Sequence, residues 1–152
     1  MISSLQLNNY FVEELSVRGN PVFEPIGTDR NAGQISCSVD MAKGAAEDDG
    51  NYRIGIAVTV RPAVTRPALD PYEISLKVVG FFNFLPAPDM KGEDRDRMAT
   101  LNGSSILYGL ARGLVAQTTG VGEFGKYFLP GINFVELLKN KTVVQPAVAA
   151  QV

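Results

Sequence analysis

The sequence predicts an α+β fold in which a four-stranded antiparallel β-meander is followed by a long helix and a short C-terminal helix. Two observations carry this prediction. Over residues 5–85, four segments alternate apolar and polar side chains with the period of two that is typical of strands. After Asp94, apolar residues recur at spacings of three and four, as one face of a helix requires. Glycine and proline mark the ends of the strand segments.

The first three predicted strands differ in how strictly they alternate. The first is interrupted on its apolar face by Asn9 and Glu13 and ends at Gly19-Asn20-Pro21, whereas the next two alternate cleanly. The apolar faces consist of Leu5, Leu7, Phe11, Leu15 and Val17 in the first strand, of Ile35, Cys37, Val39 and Met41 in the second, and of Tyr52, Ile54, Ile56, Val58 and Val60 in the third. Each strand therefore presents one face that can pack in a core.

The fourth predicted strand begins near Tyr72 and becomes apolar on both of its faces after Lys77. An antiparallel sheet needs cover on only one face. Apolar residues on both faces therefore imply a helix on one side and another subunit on the other. We expect Phe81 and Phe82, in this apolar stretch, to take part in an oligomer interface.

The long helix is expected over residues 94 to about 118. Gly103-Ser104-Ser105 interrupts its apolar pattern, and because glycine inside a helix costs about 1 kcal/mol relative to alanine, we expect a kink or short break there. A short second helix is expected from Asn133, whose side chain can cap free backbone amides. The domain should span residues 1–140, and residues 141–152, which have no periodicity, should form a mobile tail.

Composition narrows the class of partner. The net charge of −2 and the scattered basic residues disfavour a nucleic acid or an anionic membrane surface. No window approaches the roughly 20 apolar residues that cross a bilayer, so membrane insertion is not expected. A single cysteine, Cys37, and an N-terminus without a charged and then apolar leader predict a cytoplasmic location.

Most catalytic constellations are missing from the chain. The absence of histidine removes the commonest general base, the usual activator of a nucleophile and the commonest transition-metal ligand. Glu13 and Glu14 could form a carboxylate pair, but neighbouring strand residues point to opposite faces. Cys37 lies on an apolar stripe with no base to activate it. We therefore expect no enzyme activity, no cofactor and no bound metal.

One glycine motif resembles a nucleotide-binding fingerprint. The segment Gly120-Val121-Gly122-Glu123-Phe124-Gly125 has the required glycine spacing. That fingerprint works only between a strand and the N-terminus of a helix, where the amides meet a pyrophosphate group. Here the motif follows a predicted helix, so it indicates a loop that ends the helix.

Three short segments resemble signature segments of the protein-export chaperone SecB family. They are Gly80-Phe81-Phe82 at the end of the fourth strand, Ile106-Leu107-Tyr108 with Ala111-Arg112 on the long helix, and Leu129-Pro130-Gly131-Ile132-Asn133-Phe134 before the last helix. The element order predicted above also agrees with that of the family. The resemblance covers nearly the whole chain and implies a SecB-like fold.

The resemblance implies an ATP-independent holdase that binds unfolded precursor proteins and keeps them competent for export through the Sec translocase. Family members are homotetramers, assembled as dimers of dimers through sheet contacts and then through the long helices. By position, the implied peptide-binding groove consists of Ile35, Cys37, Val39, Tyr72, Leu110 and Phe134, and the implied oligomer interface consists of Phe81, Phe82, Ile106, Leu107 and Leu114. For any one groove residue, plain core packing is an equally good interpretation.

Departures from the family pattern concern the motor protein SecA. Glu14 matches one acidic docking residue of the outer sheet face, but Arg18 and Ser75 stand where further acids are expected. The family's zinc-binding tail, rich in cysteine and histidine, has no counterpart after residue 140. Two alternatives stay open: weak coupling to SecA, or a SecB-like chaperone dedicated to one partner, such as the antitoxin of a toxin-antitoxin system.

Overall fold

A computed structural model describes residues 2–25, 33–44, 50–85, 92–140 and 144–146. Four long strands come first, followed by a long helix, a short helix and a three-residue strand. Their bounds are β1 Leu5–Gly19, β2 Gln34–Lys43, β3 Asn51–Arg61, β4 Tyr72–Phe84, α1 Gly92–Gly120, α2 Phe134–Asn140 and β5 Val144–Pro146, with a turn of 3₁₀ helix at Pro67–Leu69 before β4. The predicted fold class is therefore confirmed.

The order of the strands corrects one detail of the prediction. The sheet runs β1-β4-β3-β2-β5, so only β2, β3 and β4 form a meander, and β1 lies beside β4. The end of β1 is tied to the residues before β4, because the Asn20 side chain donates to the carbonyl oxygens of Pro67 and Asp70, each at 2.7 Å. The Asn20 amide also donates to the Pro71 carbonyl at 2.7 Å.

Strand β1 contains two register shifts, one between Leu7 and Asn9 and one between Val12 and Glu14. Each shift resets the alternation of side chains, as a β-bulge does. As a result Phe11 pairs with Val79 and lies on the outer face of the sheet, where its ring centroid is 6.1 Å from that of Phe81. The predicted single apolar stripe of β1 is therefore wrong at Phe11.

The core lies between the inner face of the sheet and α1. The largest fully buried side chains come from β3, β4 and α1, and include Ile54, Ile74, Leu76, Phe82 and Leu107. Phe82 and Leu107 were expected at an oligomer interface. That prediction is wrong for both, since each is enclosed within a single chain and has no surface to offer a second one.

Helix α1 runs without a break through Gly103-Ser104-Ser105, contrary to expectation. The two serine hydroxyls donate to the Leu101 carbonyl, at 3.0 Å from Ser104 and 2.8 Å from Ser105, and so stay within the helix. Gly103 is buried against β3, where a Cβ atom would collide with Cδ1 of Ile54. The glycine therefore permits close helix–sheet packing. Among the described helices none has the length and apolarity to cross a membrane.

Replacing Gly103 by valine should lower the free energy of unfolding by about 2 kcal/mol, because the added methyl groups overpack the contact with Ile54. Gly113→Ala is the matched control in the same helix. A Cβ at Gly113 meets no other atom within 4 Å, so alanine should raise stability by about 0.5–1 kcal/mol through helix propensity. Chemical denaturation measures both. Equal effects at the two sites would contradict the close-packing role of Gly103.

The C-terminal residues differ from the predicted tail at one place. Val144–Pro146 forms β5, which pairs in parallel with Val39, Asp40 and Met41 of β2. Regular structure was not expected there. The other residues of the predicted mobile tail lie outside the described part of the chain.

Candidate peptide-binding surface

The two faces of the sheet differ sharply in chemistry. The inner face is apolar and carries α1. The outer face carries ion pairs between neighbouring strands, with nitrogen–oxygen distances of 3.9 Å in each case. These pairs are Glu14 with Lys77, Arg18 with Glu73, and Asp40 with Arg53. Apart from the outer-face rings of Phe11 and Phe81, the described apolar surface that suits an apolar peptide segment lies on the inner side.

Strand β2 brings three of the predicted groove residues into one strip on the inner face. Cys37 and Val39 are buried, whereas Ile35 and the neighbouring Met41 are only half-buried. Helix α1 covers β3 and β4 more fully than it covers β2. The β2 strip is therefore one part of the inner face that remains reachable, at its half-buried ends Ile35 and Met41.

Two sets of aromatic rings line the space between the sheet, α1 and the residues that follow α1. Tyr72 contacts Tyr127 and Phe124, with centroid distances of 6.3 Å and 6.0 Å. Phe124 in turn packs against Phe23 at 4.9 Å. In the second set, Tyr108 meets Phe134 edge to face at 5.5 Å. Tyr72 and Phe134 are both buried in these contacts, so the core-packing interpretation describes each of them in the free chain.

The glycine motif of residues 120–125 is a loop held by Tyr72. The Tyr72 hydroxyl donates to the Gly125 carbonyl at 2.7 Å and accepts from the Phe124 amide at 3.0 Å. Helix α1 ends at Gly120, and Gly125 has a φ of 82°, a left-handed conformation that favours glycine. The motif thus reverses the chain after a helix, as predicted, and lacks the helix N-terminus that a nucleotide site needs.

Replacing Tyr72 by phenylalanine should lower the free energy of unfolding by about 1–3 kcal/mol, because the Phe124 amide and the Gly125 carbonyl lose a partner in a partly buried place. Thermal denaturation measures this. Tyr10→Phe is a control, since the exposed Tyr10 hydroxyl makes no hydrogen bond within the described residues. Similar small changes for both variants would show that the loop is not held by Tyr72.

The segment between the loop and α2 is anchored to α1 by side chains. The Tyr108 hydroxyl donates to the Pro130 carbonyl at 2.5 Å, and Nε of Arg112 donates to the Leu129 carbonyl at 3.1 Å. Burial, the largest effect, raises the pKa of Tyr108 to about 12, so this hydroxyl stays a donor at neutral pH. Asn133 accepts from the Glu136 amide at 3.3 Å, which confirms its predicted role at the start of α2.

A depression of about 380 Å³ lies between α1 and α2. It is lined by the apolar side chains of Leu101, Val135 and Leu138 and by the cationic residues Arg97 and Lys139. The volume suits one or two apolar side chains rather than a whole folded partner. Since both charged lining residues are cations, an acidic neighbour on a bound segment is compatible with this depression.

Burial raises the pKa of the Cys37 thiol from 9.0 to about 11. At about pH 8 the thiolate fraction is then roughly a hundredfold smaller than for a free thiol, and only the thiolate reacts. We therefore expect iodoacetamide to alkylate native Cys37 about a hundredfold more slowly than Cys37 of the urea-unfolded chain. Mass spectrometry against time measures both rates. Equal rates would contradict the burial of this strip.

Leu110 does not join the other groove residues. It follows Tyr108 by two positions and therefore points about 200° further around the helix. Because Tyr108 faces Phe134, Leu110 lies on the opposite flank of α1 and is only half-buried there. Its place in the groove stays a prediction, and it would require a groove that reaches this flank of α1.

Apolar side chains are exposed in two places, along the flank of α1 that carries Leu110 and along strand β1. Ile106, Leu110 and Leu114 recur every four residues along the flank, and Ile106 is 38% exposed. On the inner face of β1, Tyr10 is 43% exposed, and Val12 and Leu15 are each 38% exposed. We call these six residues the β1–α1 surface. Of the predicted oligomer residues, Ile106 and Leu114 lie on this surface, and Phe81 lies half-buried on the outer sheet face.

Sequence reasoning missed several residues that shape the candidate groove. Tyr127, Phe124 and Phe23 were not singled out, and Tyr108 was noted only as part of a signature segment. The first three occupy stretches without periodicity, where no pattern indicates burial. Their position follows from long-range contacts: Phe124 and Tyr127 pack against Tyr72, which is about 50 residues distant in sequence, and Phe23 packs against Phe124.

The chain is similar to one protein family and to solved structures. The family model described as preprotein translocase subunit SecB matches residues 2–145. The SecB-like chaperone of Mycobacterium tuberculosis, solved with a ChAD peptide from the HigA1 antitoxin, is 14% identical, with a TM-score of 0.58 and coverage of 86% of this chain and 91% of that one. A protein of unknown function from Streptococcus agalactiae is 14% identical, with a TM-score of 0.46 and coverage of 84% and 97%. No curated protein sequence matches the chain.

The family match covers β1 to β4 and both helices, and reaches into β5. The Mycobacterium tuberculosis structure shares the fold, so the SecB-like architecture implied by the three sequence segments is confirmed. Because the family model spans nearly all of its residues, the chain belongs to the SecB family, whose members are chaperones rather than enzymes.

Proposed function

We propose that this protein is an ATP-independent holdase that binds non-native polypeptide on the inner face of β2. The observation that carries the proposal is the strip of Ile35, Cys37, Val39 and Met41, which lies at the side of the sheet that α1 covers least. It offers apolar side chains next to residues 34–38, an edge segment of β2 that no described strand pairs on that side. Many unfolded chains share the complementary features, namely exposed apolar side chains and free backbone amides.

Such a surface binds by additive, sequence-tolerant contacts. Backbone hydrogen bonds to a strand edge do not depend on the side chains of the bound segment, and apolar pockets accept several residue types. The depression beside α2, with Leu101, Val135 and Leu138, supplies a second apolar contact. No described group is arranged for nucleotide binding, and none is needed, because release of a weakly held segment requires only dissociation.

We also propose that the active form is a homotetramer assembled as a dimer of dimers. The β1–α1 surface supports this proposal, since it leaves six apolar side chains partly exposed on one side of the chain. Contiguous exposed apolar residues of this kind mark protein contact sites. The outer edge of β1, a strand of 15 residues, has no described neighbour, so a second copy could extend the sheet there.

The test of the holdase proposal is suppression of aggregation. Guanidine-unfolded citrate synthase is diluted into buffer containing the chaperone, without nucleotide, and light scattering is recorded. We expect scattering to fall in proportion to chaperone concentration and to vanish near a stoichiometric amount. Serum albumin at equal mass concentration controls for nonspecific crowding. Unchanged scattering, with the oligomer intact by light-scattering mass, would refute the proposal.

Within this function, we propose delivery of precursor proteins for export from the cytoplasm as the role, with SecA as the receiving partner. The family match to a preprotein translocase subunit supports it. Glu14 remains the proposed docking residue on the outer face, although its carboxylate is paired with Lys77 at 3.9 Å. That pairing, like Arg18 at another expected acidic position, favours weak coupling to SecA.

The alternative is a chaperone dedicated to one partner, such as an antitoxin. It is suggested by the Mycobacterium tuberculosis SecB-like chaperone, which was solved with an antitoxin peptide. Affinity purification of the tagged protein from its own cells separates the two roles. Many unrelated precursors would support the export role, whereas one stoichiometric partner would support the dedicated one.

A further inference from the structure

The edge of β2 is only partly paired. On one side all ten residues of β2 are in register with β3. On the other side β5 pairs with Val39, Asp40 and Met41 alone, and no described strand covers the five residues from Gln34 to Ser38. The paired positions include two residues of the inner-face strip, Val39 and Met41. The chain's own C-terminal segment therefore sits on the edge of the surface assigned to polypeptide binding.

Strand β5 has the properties of a weak and replaceable occupant. It is three residues long and parallel to β2, and parallel pairing is slightly less stable per residue than antiparallel pairing. Its last residue, Pro146, has no amide to donate. Only three residues separate the end of α2 at Asn140 from Val144, so the anchored helix keeps this segment near the β2 edge at high effective concentration.

We propose that the β2 edge is a strand-addition site and that Val144–Pro146 occupies it in cis, in competition with an extended segment of a bound polypeptide. This inference rests on the proposed holdase function and names the regulation of that same site. A client segment that pairs along all ten residues of β2 makes more backbone hydrogen bonds than the three-residue strand it displaces. Val144–Pro146 thus pairs with the β2 edge when no client is bound and dissociates from it when a client segment binds.

Competition from Val144–Pro146 should weaken the apparent affinity of the β2 edge for a bound polypeptide segment. A site that is open in only a fraction of molecules binds with an apparent Kd increased by the inverse of that fraction. Removing the segment should therefore tighten binding of an extended polypeptide by about three- to tenfold. The same change should leave the fold intact, because β2 is the described element with which β5 makes its main contacts.

The first experiment tests occupancy without any client, by amide hydrogen exchange. A chain ending at Asn140 lacks β5, and a chain ending at Pro146 is the matched control that keeps it. We expect exchange to speed up in peptides covering Val39–Met41 of the shorter chain only. A full-length variant carrying Val144→Pro and Gln145→Pro, which leaves β5 without a backbone amide, should behave like the shorter chain. Equal exchange in all variants would overturn the cis strand.

The second experiment measures binding of fluorescein-labelled, reduced and carboxymethylated α-lactalbumin by anisotropy. Tighter binding to the chain ending at Asn140 and to the double-proline variant, with unchanged binding to the chain ending at Pro146, would support competition. Faster exchange of Val39–Met41 with unchanged affinity would refute competition while leaving the holdase proposal standing. Absence of binding to every variant would refute the holdase proposal, and the exchange data would still decide whether β5 occupies the edge.

Discussion

Replacing Leu107 by alanine is expected to lower the free energy of unfolding by about 3–5 kcal/mol while leaving the mass of the assembly unchanged. Leu107 is completely buried in the chain, and its side chain lies over Gly80 of β4, where a Cβ atom would be only 2.7 Å from it. Truncation leaves a cavity at this tightly packed place. Urea denaturation at fixed protein concentration measures the stability, and light scattering measures the mass.

Ile106→Ala is the matched control, since Ile106 adjoins Leu107 in sequence and is 38% exposed. The Ile106→Ala substitution should lower the free energy of unfolding of the single chain much less than Leu107→Ala does. It should weaken association of the subunits instead. The two variants therefore separate core from interface on one helix. A loss of mass in the Leu107 variant at native conditions, with little change in unfolding, would restore Leu107 to the interface and contradict its burial.

The double substitution Val12→Lys and Leu15→Lys on β1 is expected to weaken association of the subunits by at least about a hundredfold. Both side chains lie on the inner face of the edge strand and form part of the β1–α1 surface. Burying an unpaired ammonium group in an apolar contact costs several kcal/mol, so the subunits should separate. Sedimentation velocity over a range of protein concentrations measures the change.

Ser16→Lys is the control, because Ser16 is exposed on the outer face of the same strand, next to Ser75. It should leave the mass unchanged. Circular dichroism should show native secondary structure in both variants, since the substituted side chains lie on the surface. An assembly that survives both inner-face lysines but dissociates with Ser16→Lys would place the contact on the outer face.

Local patterns in the sequence predicted the elements of this fold well. Period-two alternation located β2 and β3, and the inner face of β3 is as buried as the pattern requires at Ile54, Val58 and Val60. The change to a spacing of three and four located α1. These features depend on neighbouring residues, so one sequence is sufficient to reveal them.

Features that depend on distant residues were not predicted. Strand β1 lies beside β4, and the Asn20 side chain at its end bonds to residues about 50 positions away in sequence. The bulge between Val12 and Glu14 changes the facing of side chains, so that Glu13 borders the same outer-face depression as Lys77, the partner of Glu14. The expectation that Glu13 and Glu14 lie apart on opposite faces is therefore wrong, because a bulge is invisible to strict alternation.

The same limit applies to the candidate site. Ile35, Cys37 and Val39 share a strip because they share a strand, and alternation predicts this directly. Gly103 was interpreted as a helix breaker because propensity is local, whereas its role is to admit Ile54 of β3. Leu110 was assigned by its position in a family pattern, but the rotation of α1 turns it away from Phe134.

Site-specific photo-crosslinking tests most directly whether the inner face of β2 holds non-native polypeptide. Benzoylphenylalanine is introduced at Ile35, which lies half-buried on the inner face, or at Ser36, which is exposed on the outer face. Each variant is irradiated with unfolded citrate synthase. The account predicts crosslinks from position 35 and few from position 36. Crosslinks mainly from position 36, or from neither position while aggregation is still suppressed, would contradict it.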